Sequence, residues 1–179
     1  MYYSGLYDSP LGKLTLAATE TALVGLWLPG QKYFLGRYGQ PMENGSQNPI
    51  LRETGRWLDR YFSGGAPRPE ELPLGPEGSP FQREVWSILC EIPWGHLMTY
   101  GEIAGRLARA RGVDHMSAQA VGGAVGHNPI SIVIPCHRVV GTSGSLTGYA
   151  GGIEKKIALL TLEGAPMEGL FIPKRGTAL

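Results

Sequence analysis

Near the end of this chain a thiol, an imidazole and a guanidinium follow one another directly, in Pro135-Cys136-His137-Arg138. Cysteine reacts as its thiolate, and a free thiol with a pKa of about 8.5 is mostly protonated at neutral pH. Activation therefore needs a base or a positive charge nearby, and His137 and Arg138 are of the right types. An imidazole acting as base needs an acceptor on its other nitrogen to fix tautomer and orientation. Glu163, placed where the last helix should end, is the candidate for that acceptor. The residues thus point to nucleophilic chemistry at sulfur. The competing reading is an inert, buried cysteine beside two surface residues.

The elements around this stretch must deliver the thiol. Ile130, Ile132 and Ile134 alternate after the turn-forming Asn128-Pro129, a pattern that predicts a short strand running into Pro135. Adjacent side chains on a strand point to opposite faces, so Cys136 and His137 would not pair directly. Either the chain turns sharply after Pro135 or something bridges the two groups, such as a water. Upstream, Ser79-Pro80-Phe81-Gln82 and Thr99-Tyr100-Gly101-Glu102 are capping boxes that start two helices. Phe81, Val85, Ile88 and Leu89 face inward on the first, and Ile103 and Leu107 on the second. After a polar turn from Arg109 to His115, Ser117 caps a third helix that ends at Gly126. The last two resemble a helix-turn-helix. A glycine-rich loop, 141–152, then leads to a final helix with Ile153, Ile157 and Leu160 inward and Gly164 as its stop. Leu170-Phe171-Ile172-Pro173 is expected to pack as an edge strand.

The first third carries none of this chemistry. Residues 2–7, 14–18 and 23–28 read as a β-meander, and a helix is predicted over 49–63. Histidine and cysteine are absent before residue 80, which excludes a metal site of soft ligands there. Residues 64–80 hold five prolines and four glycines. They are read as a linker or a long crossing loop. The expected fold class is α+β, with an N-terminal antiparallel sheet plus helix over 1–78. A mainly helical domain with a winged-helix-like helix-turn-helix would span 79–179.

At 179 residues and 42% hydrophobic content the chain can bury a core. No apolar run approaches the roughly 20 residues needed to span a bilayer, and no leader is read at the N-terminus. Two cysteines, Cys90 and Cys136, in an otherwise ordinary composition suggest reduced thiols and a cytoplasmic location. The net charge of +1 is too small to draw nucleic acid on its own. Arg106, Arg109 and Arg111 form a small basic cluster that either contacts phosphate or is a solvated face.

Taken together, Ile134-Pro135-Cys136-His137-Arg138-Val139, the preceding 122–129 (Gly-Gly-Ala-Val-Gly-His-Asn-Pro) and the following 148–152 (Gly-Tyr-Ala-Gly-Gly) resemble the O6-alkylguanine-DNA alkyltransferases. Lys156 through Leu159-Leu160 to Glu163-Gly164 closes the match. The resemblance implies a minor-groove helix-turn-helix, a flipped base, and irreversible transfer of its O6-alkyl group to Cys136, once per molecule. O4-alkylthymine would be a second substrate. It implies His137 as the base acting through a water, Glu163 as its orienting carboxylate and Asn128 as the hinge. Tyr100 would crowd the target phosphate and donate to the base, Val125 and Tyr149 would line the pocket, and Arg138 would lie on the substrate side. Gln119 stands where the family commonly has an arginine that replaces the flipped base, which predicts weaker duplex affinity. No cofactor or metal is implied. The partner is alkylated double-stranded DNA, with single-stranded DNA as a second form, and the protein would act as a monomer. Two other classes share some of these residues. Alkyltransferase-like proteins bind lesions without transfer and lack the cysteine; a Cys-His hydrolase needs an oxyanion hole that nothing else here suggests.

Overall fold

The computed structural model describes residues 1–38 and 42–174, the side chain of Arg37 excepted. The chain forms two compact units: Met1–Glu77 together with Pro129–Ile134, and Gly78–Asn128 together with Pro135–Leu179. The expected second domain, 79–179, is therefore interrupted: residues 129–134 belong to the first unit.

The first unit starts with strands β1 (Tyr3–Ser9), β2 (Gly12–Ala18) and β3 (Leu23–Trp27), consecutive and antiparallel. A short β4 (Glu43–Asn44) adds to β1 in parallel, giving the order β3-β2-β1-β4. Helix α1 (Pro49–Phe62) packs on this sheet through Leu51, Trp57, Leu58 and Tyr61. Its start is set locally, by Asn48 accepting from the Leu51 amide with Pro49 at the first position. β3 is buried along its whole length, and Ala17, Val24, Trp27 and Tyr38 make an apolar cluster.

Of the two readings of residues 64–80, the structure gives the crossing loop. The Trp57 indole donates to the Arg68 carbonyl, and Pro69 and Leu72 are buried. Leu23 N–H then donates to Pro73 O and Gly75 N–H to Leu23 O, both at 2.8 Å, so the loop runs beside β3. The strand expected at 130–134 is not formed. Only Ile130 makes a bridge, to Leu26. The chain then curls: Val133 N–H bonds Ser131 O and Ile134 N–H bonds Ile130 O, with Ile132 at φ +70°. All five residues from Ile130 to Ile134 are buried, so the apolar alternation did not report a one-sided strand.

The second unit is helical. In α2 (Pro80–Cys90) and α3 (Tyr100–Arg111) both capping boxes are present as read, and Ser117 caps α4 (Ala118–Gly126). α3 runs through Arg109 to Arg111, three residues into the expected turn, and Gly112 closes it in the left-handed conformation at φ 64°. Trp86, not singled out from the sequence, is buried on α2 and its indole donates to Ala124 O of α4 at 2.8 Å. A two-stranded parallel pair, β5 (Met98–Thr99) with β6 (Val139–Val140), places the start of α3 beside the chain that follows Cys136. α5 (Ile153–Leu162) packs through Leu159 and Leu160. Of the expected edge strand near 170–173, only Phe171 makes a bridge, to Ser145; residues 175–179 lie outside the described residues.

Candidate active site

Cys136 opens a single 3-10 turn, Cys136–Arg138, immediately after Pro135. The sharp turn after Pro135 is thus realised, and it removes the strand geometry that would have set thiol and imidazole on opposite faces. Cys136 is only 5% exposed. The Asn128 side-chain amide donates to its Sγ at 3.2 Å, while the Asn128 backbone N–H bonds Val125 O at the end of α4. One residue therefore ties the end of the helix to the sulfur.

His137 is fully buried, with Nε2 at 2.6 Å from Glu163 Oε1. An ionised carboxylate only accepts, so the proton lies on Nε2 and Nδ1 is the basic nitrogen. Glu163 also takes Arg138 in a two-point pair, Nε to Oε2 at 2.8 Å and a terminal nitrogen to Oε1 at 2.9 Å. The remaining terminal nitrogen of Arg138 donates to Ile92 O at 2.6 Å. Glu163 follows α5, where the helix dipole disfavours a carboxylate; the Arg138 pair offsets that cost. The turn at Gly95, φ 76°, runs so close that a Cβ there would stand 3.0 Å from the Glu163 carbonyl.

The electrostatics follow from burial first. Burial pushes the Cys136 thiol up, while the Asn128 hydrogen bond, the Lys156 charge and backbone N–H groups pull it down. Burial likewise lowers the His137 pKa, against the pull of Glu163. Burial works against the Glu163 carboxylate too, but His137 and Arg138 overcome it and hold its pKa at about 2. At neutral pH the resting site is then a thiol, a neutral imidazole and a carboxylate. That is the arrangement a general base requires.

The remaining expected residues divide. Tyr100, at the first position of α3, is buried and donates to Thr147 O at 3.4 Å; burial and nearby Cys136 raise its pKa, so it stays a phenol. Tyr149 is buried with its ring edge-on to His137, centroids 6.4 Å apart. Val125 is buried on α4. Gln119 is exposed in the first turn of α4. Arg138 points into the protein. Expected on the substrate side, it is 4% exposed and gives three hydrogen bonds to Glu163 and Ile92, so it anchors the carboxylate. In the basic cluster Arg106 pairs with Glu91 and Arg111 with Glu84 at the partly exposed surface, stitching α3 to α2. Lys156 was passed over as a functional residue although it is wholly buried. Its place on the stripe Ile153, Lys156, Ile157, Leu160 was the available signal, because a lysine on an inward face is unusual.

A thiol held by an amide, with an imidazole–carboxylate pair in the next residue and a helix pair beside it, defines a cysteine-nucleophile centre on a helix-turn-helix-like unit. The chain belongs to the 6-O-methylguanine DNA methyltransferase family: residues 1–76 match its ribonuclease-like domain and residues 80–165 its DNA-binding domain. Among relatives named methylated-DNA–protein-cysteine methyltransferase, that of Methanosarcina barkeri is 44% identical over 91% of this chain and 97% of its own length. That of Mycolicibacterium paratuberculosis is 45% identical over 87% of this chain and 88% of its own. The Mycobacterium tuberculosis OGT, solved in complex with DNA, is 40% identical with a TM-score of 0.75, covering 92% of this chain and 94% of that one. The O6-methylguanine-DNA methyltransferase of Pyrococcus kodakaraensis is 26% identical with a TM-score of 0.65, over 92% and 100%.

Proposed function

We propose that this protein repairs DNA by direct reversal, moving the alkyl group of O6-alkylguanine onto Cys136. The observation that carries this reading is the buried thiol bonded to Asn128, one residue from the His137–Glu163 pair. Relatives of similar length, named methylated-DNA–protein-cysteine methyltransferase, support it. His137 takes the thiol proton through a water, and Arg138 keeps Glu163 ionised to orient the imidazole. The thiolate attacks the alkyl carbon in line; the S–C bond forms as the C–O6 bond breaks, and its electron pair stays on oxygen. The released guanine takes up a proton, for which Tyr100, a neutral phenol, is the proposed donor. Val125 and Tyr149 line the base pocket, and Gln119, exposed on α4, fills the gap left by the flipped base.

The product is a thioether, which hydrolysis does not reset, so each molecule acts once and needs no cofactor. Double-stranded DNA carrying the lesion is the proposed substrate, met by a monomer in the cytoplasm. O4-alkylthymine and single-stranded DNA are secondary substrates in this reading. Among the described residues no helix is long and apolar enough to cross a membrane. Intact mass spectrometry after mixing with methylated duplex tests the proposal. A gain of one methyl group, mapped to Cys136 and stoichiometric with repaired guanine, is expected. Tight lesion binding with no mass gain would instead mark a binding module, and repeated turnover would mark a hydrolase.

A further inference from the structure

Lys156 is a buried charge that the scheme above does not use. It lies on α5 with no exposed surface, and its Nζ donates to two carbonyls, Val139 O at 2.5 Å and Thr147 O at 3.2 Å. Val139 is the first residue after the Cys136–Arg138 turn, and Thr147 belongs to the glycine-rich loop that carries Tyr149. The same Thr147 carbonyl accepts from Tyr100. One ammonium thus joins the chain leaving the cysteine to the loop lining the proposed pocket. Neutral carbonyls alone are poor compensation for a buried cation, which needs a counter-charge.

We infer that Lys156 is a positioning residue for the transfer: its ammonium braces the Cys136 turn against the Tyr149 loop and supplies the counter-charge for the thiolate. This rests on the proposed reaction, since only a sulfur that becomes charged calls for such a partner. The Lys156 charge acts on Cys136 and His137 in the turn, and its Nζ shares the Thr147 carbonyl with Tyr100 of α3. Arg138 and Glu163 are paired behind His137, and Tyr149 lies in the same loop as Thr147. Glu163 is already committed to His137 and Arg138, and the two tyrosines stay neutral, which leaves the sulfur as the charge Lys156 answers. Burial brings the Lys156 pKa down to about 8, and proximity to Cys136 opposes the fall.

The test separates charge from bracing and needs no DNA. Lys156→Gln keeps an amide donor for a carbonyl and removes the charge. Alkylation of Cys136 by iodoacetamide, followed against pH by mass spectrometry, should show a midpoint higher by about one unit, or about tenfold slower reaction at neutral pH. A folded Lys156→Gln protein with the wild-type midpoint overturns the inference. Should that variant not fold, Nζ NMR of the wild-type chain labelled on lysine nitrogen decides. Lys156 should titrate near pH 8, and at lower pH in Cys136→Ser, because coupling between two groups is reciprocal. Identical Lys156 titration in the two proteins also overturns it. Either result stands whether or not methylated DNA proves to be the substrate, so the two readings fail separately.

Discussion

The Asn128 side-chain amide donates to Cys136 Sγ at 3.2 Å across eight residues of chain. A hydrogen bond to sulfur strengthens as the sulfur becomes an anion, so this contact favours the reactive form over the resting one. Asn128→Ala should raise the apparent thiol pKa by about 1–2 units, the equivalent of losing a bond to a charged acceptor. Thiolate ultraviolet absorbance against pH measures it. An unchanged titration would show the bond to be structural only.

Glu163 joins His137 to Arg138 in a buried cluster, and its charge holds both. Glu163→Gln leaves the Arg138 guanidinium without a counter-charge, and the loss should be about 3–5 kcal/mol in urea denaturation. The transfer rate should fall as well, because a neutral amide no longer fixes the His137 tautomer. Arg138→Met in the same background should recover part of the stability, since the stranded cation is gone. Additive losses would show that the pair is not coupled.

Acid should unfold the second unit in a defined order. His137 has a folded-state pKa below its usual 6.5, so below that pH the unfolded chain binds a proton that the folded chain refuses. Glu163, held at about 2 against a usual 4.5, adds stability that is complete above 4.5 and lost as pH falls toward 2. Stability should therefore decline from just below pH 6.5 and steepen below 4.5. In Glu163→Gln the lower limb should flatten. Thermal melts across this range check both limbs, and a melting temperature flat from pH 6.5 to 5 would refute the His137 assignment.

The DNA-facing prediction concerns charge at α4. Gln119 is exposed and neutral, and among the expected phosphate contacts Arg106 and Arg111 are engaged with Glu91 and Glu84. Gln119→Arg should tighten binding to a lesion duplex and steepen the slope of log affinity against log salt by about one. Arg106→Ala and Arg111→Ala should leave that slope near the wild-type value. Fluorescence anisotropy across a salt series distinguishes the three. A loss of slope in either arginine variant would restore it as a phosphate contact.

What was legible in the sequence was what is decided locally. Ser79, Thr99 and Ser117 each bond an amide within three residues, so their helices could be placed from a few letters. The meander was equally plain, since its turns and alternation lie within a dozen residues. Failures came where distant chain intervenes. The strand expected after Asn128 was lost because both sides of Ile130–Ile134 are covered, so its alternation carried no information about facing. Arg138 looked like a surface cation because nothing nearby announces its partners, 25 residues ahead at Glu163 and 46 behind at Ile92. Lys156 stood in plain view on an inward stripe, but a sequence does not say which carbonyls or which thiol wait there.

The first unit is assembled from two separate pieces of chain, 1–77 and 129–134, and this limits how the protein can be dissected. Leu26, fully buried, gives its N–H to Pro129 O and takes the N–H of Ser131 on its carbonyl. A gene cut at residue 78 would take the short piece away and leave two backbone groups in an apolar core with nothing to bond. The halves are not interchangeable modules, and an excised N-terminal fragment would be a different, less complete object than the unit seen in the whole chain.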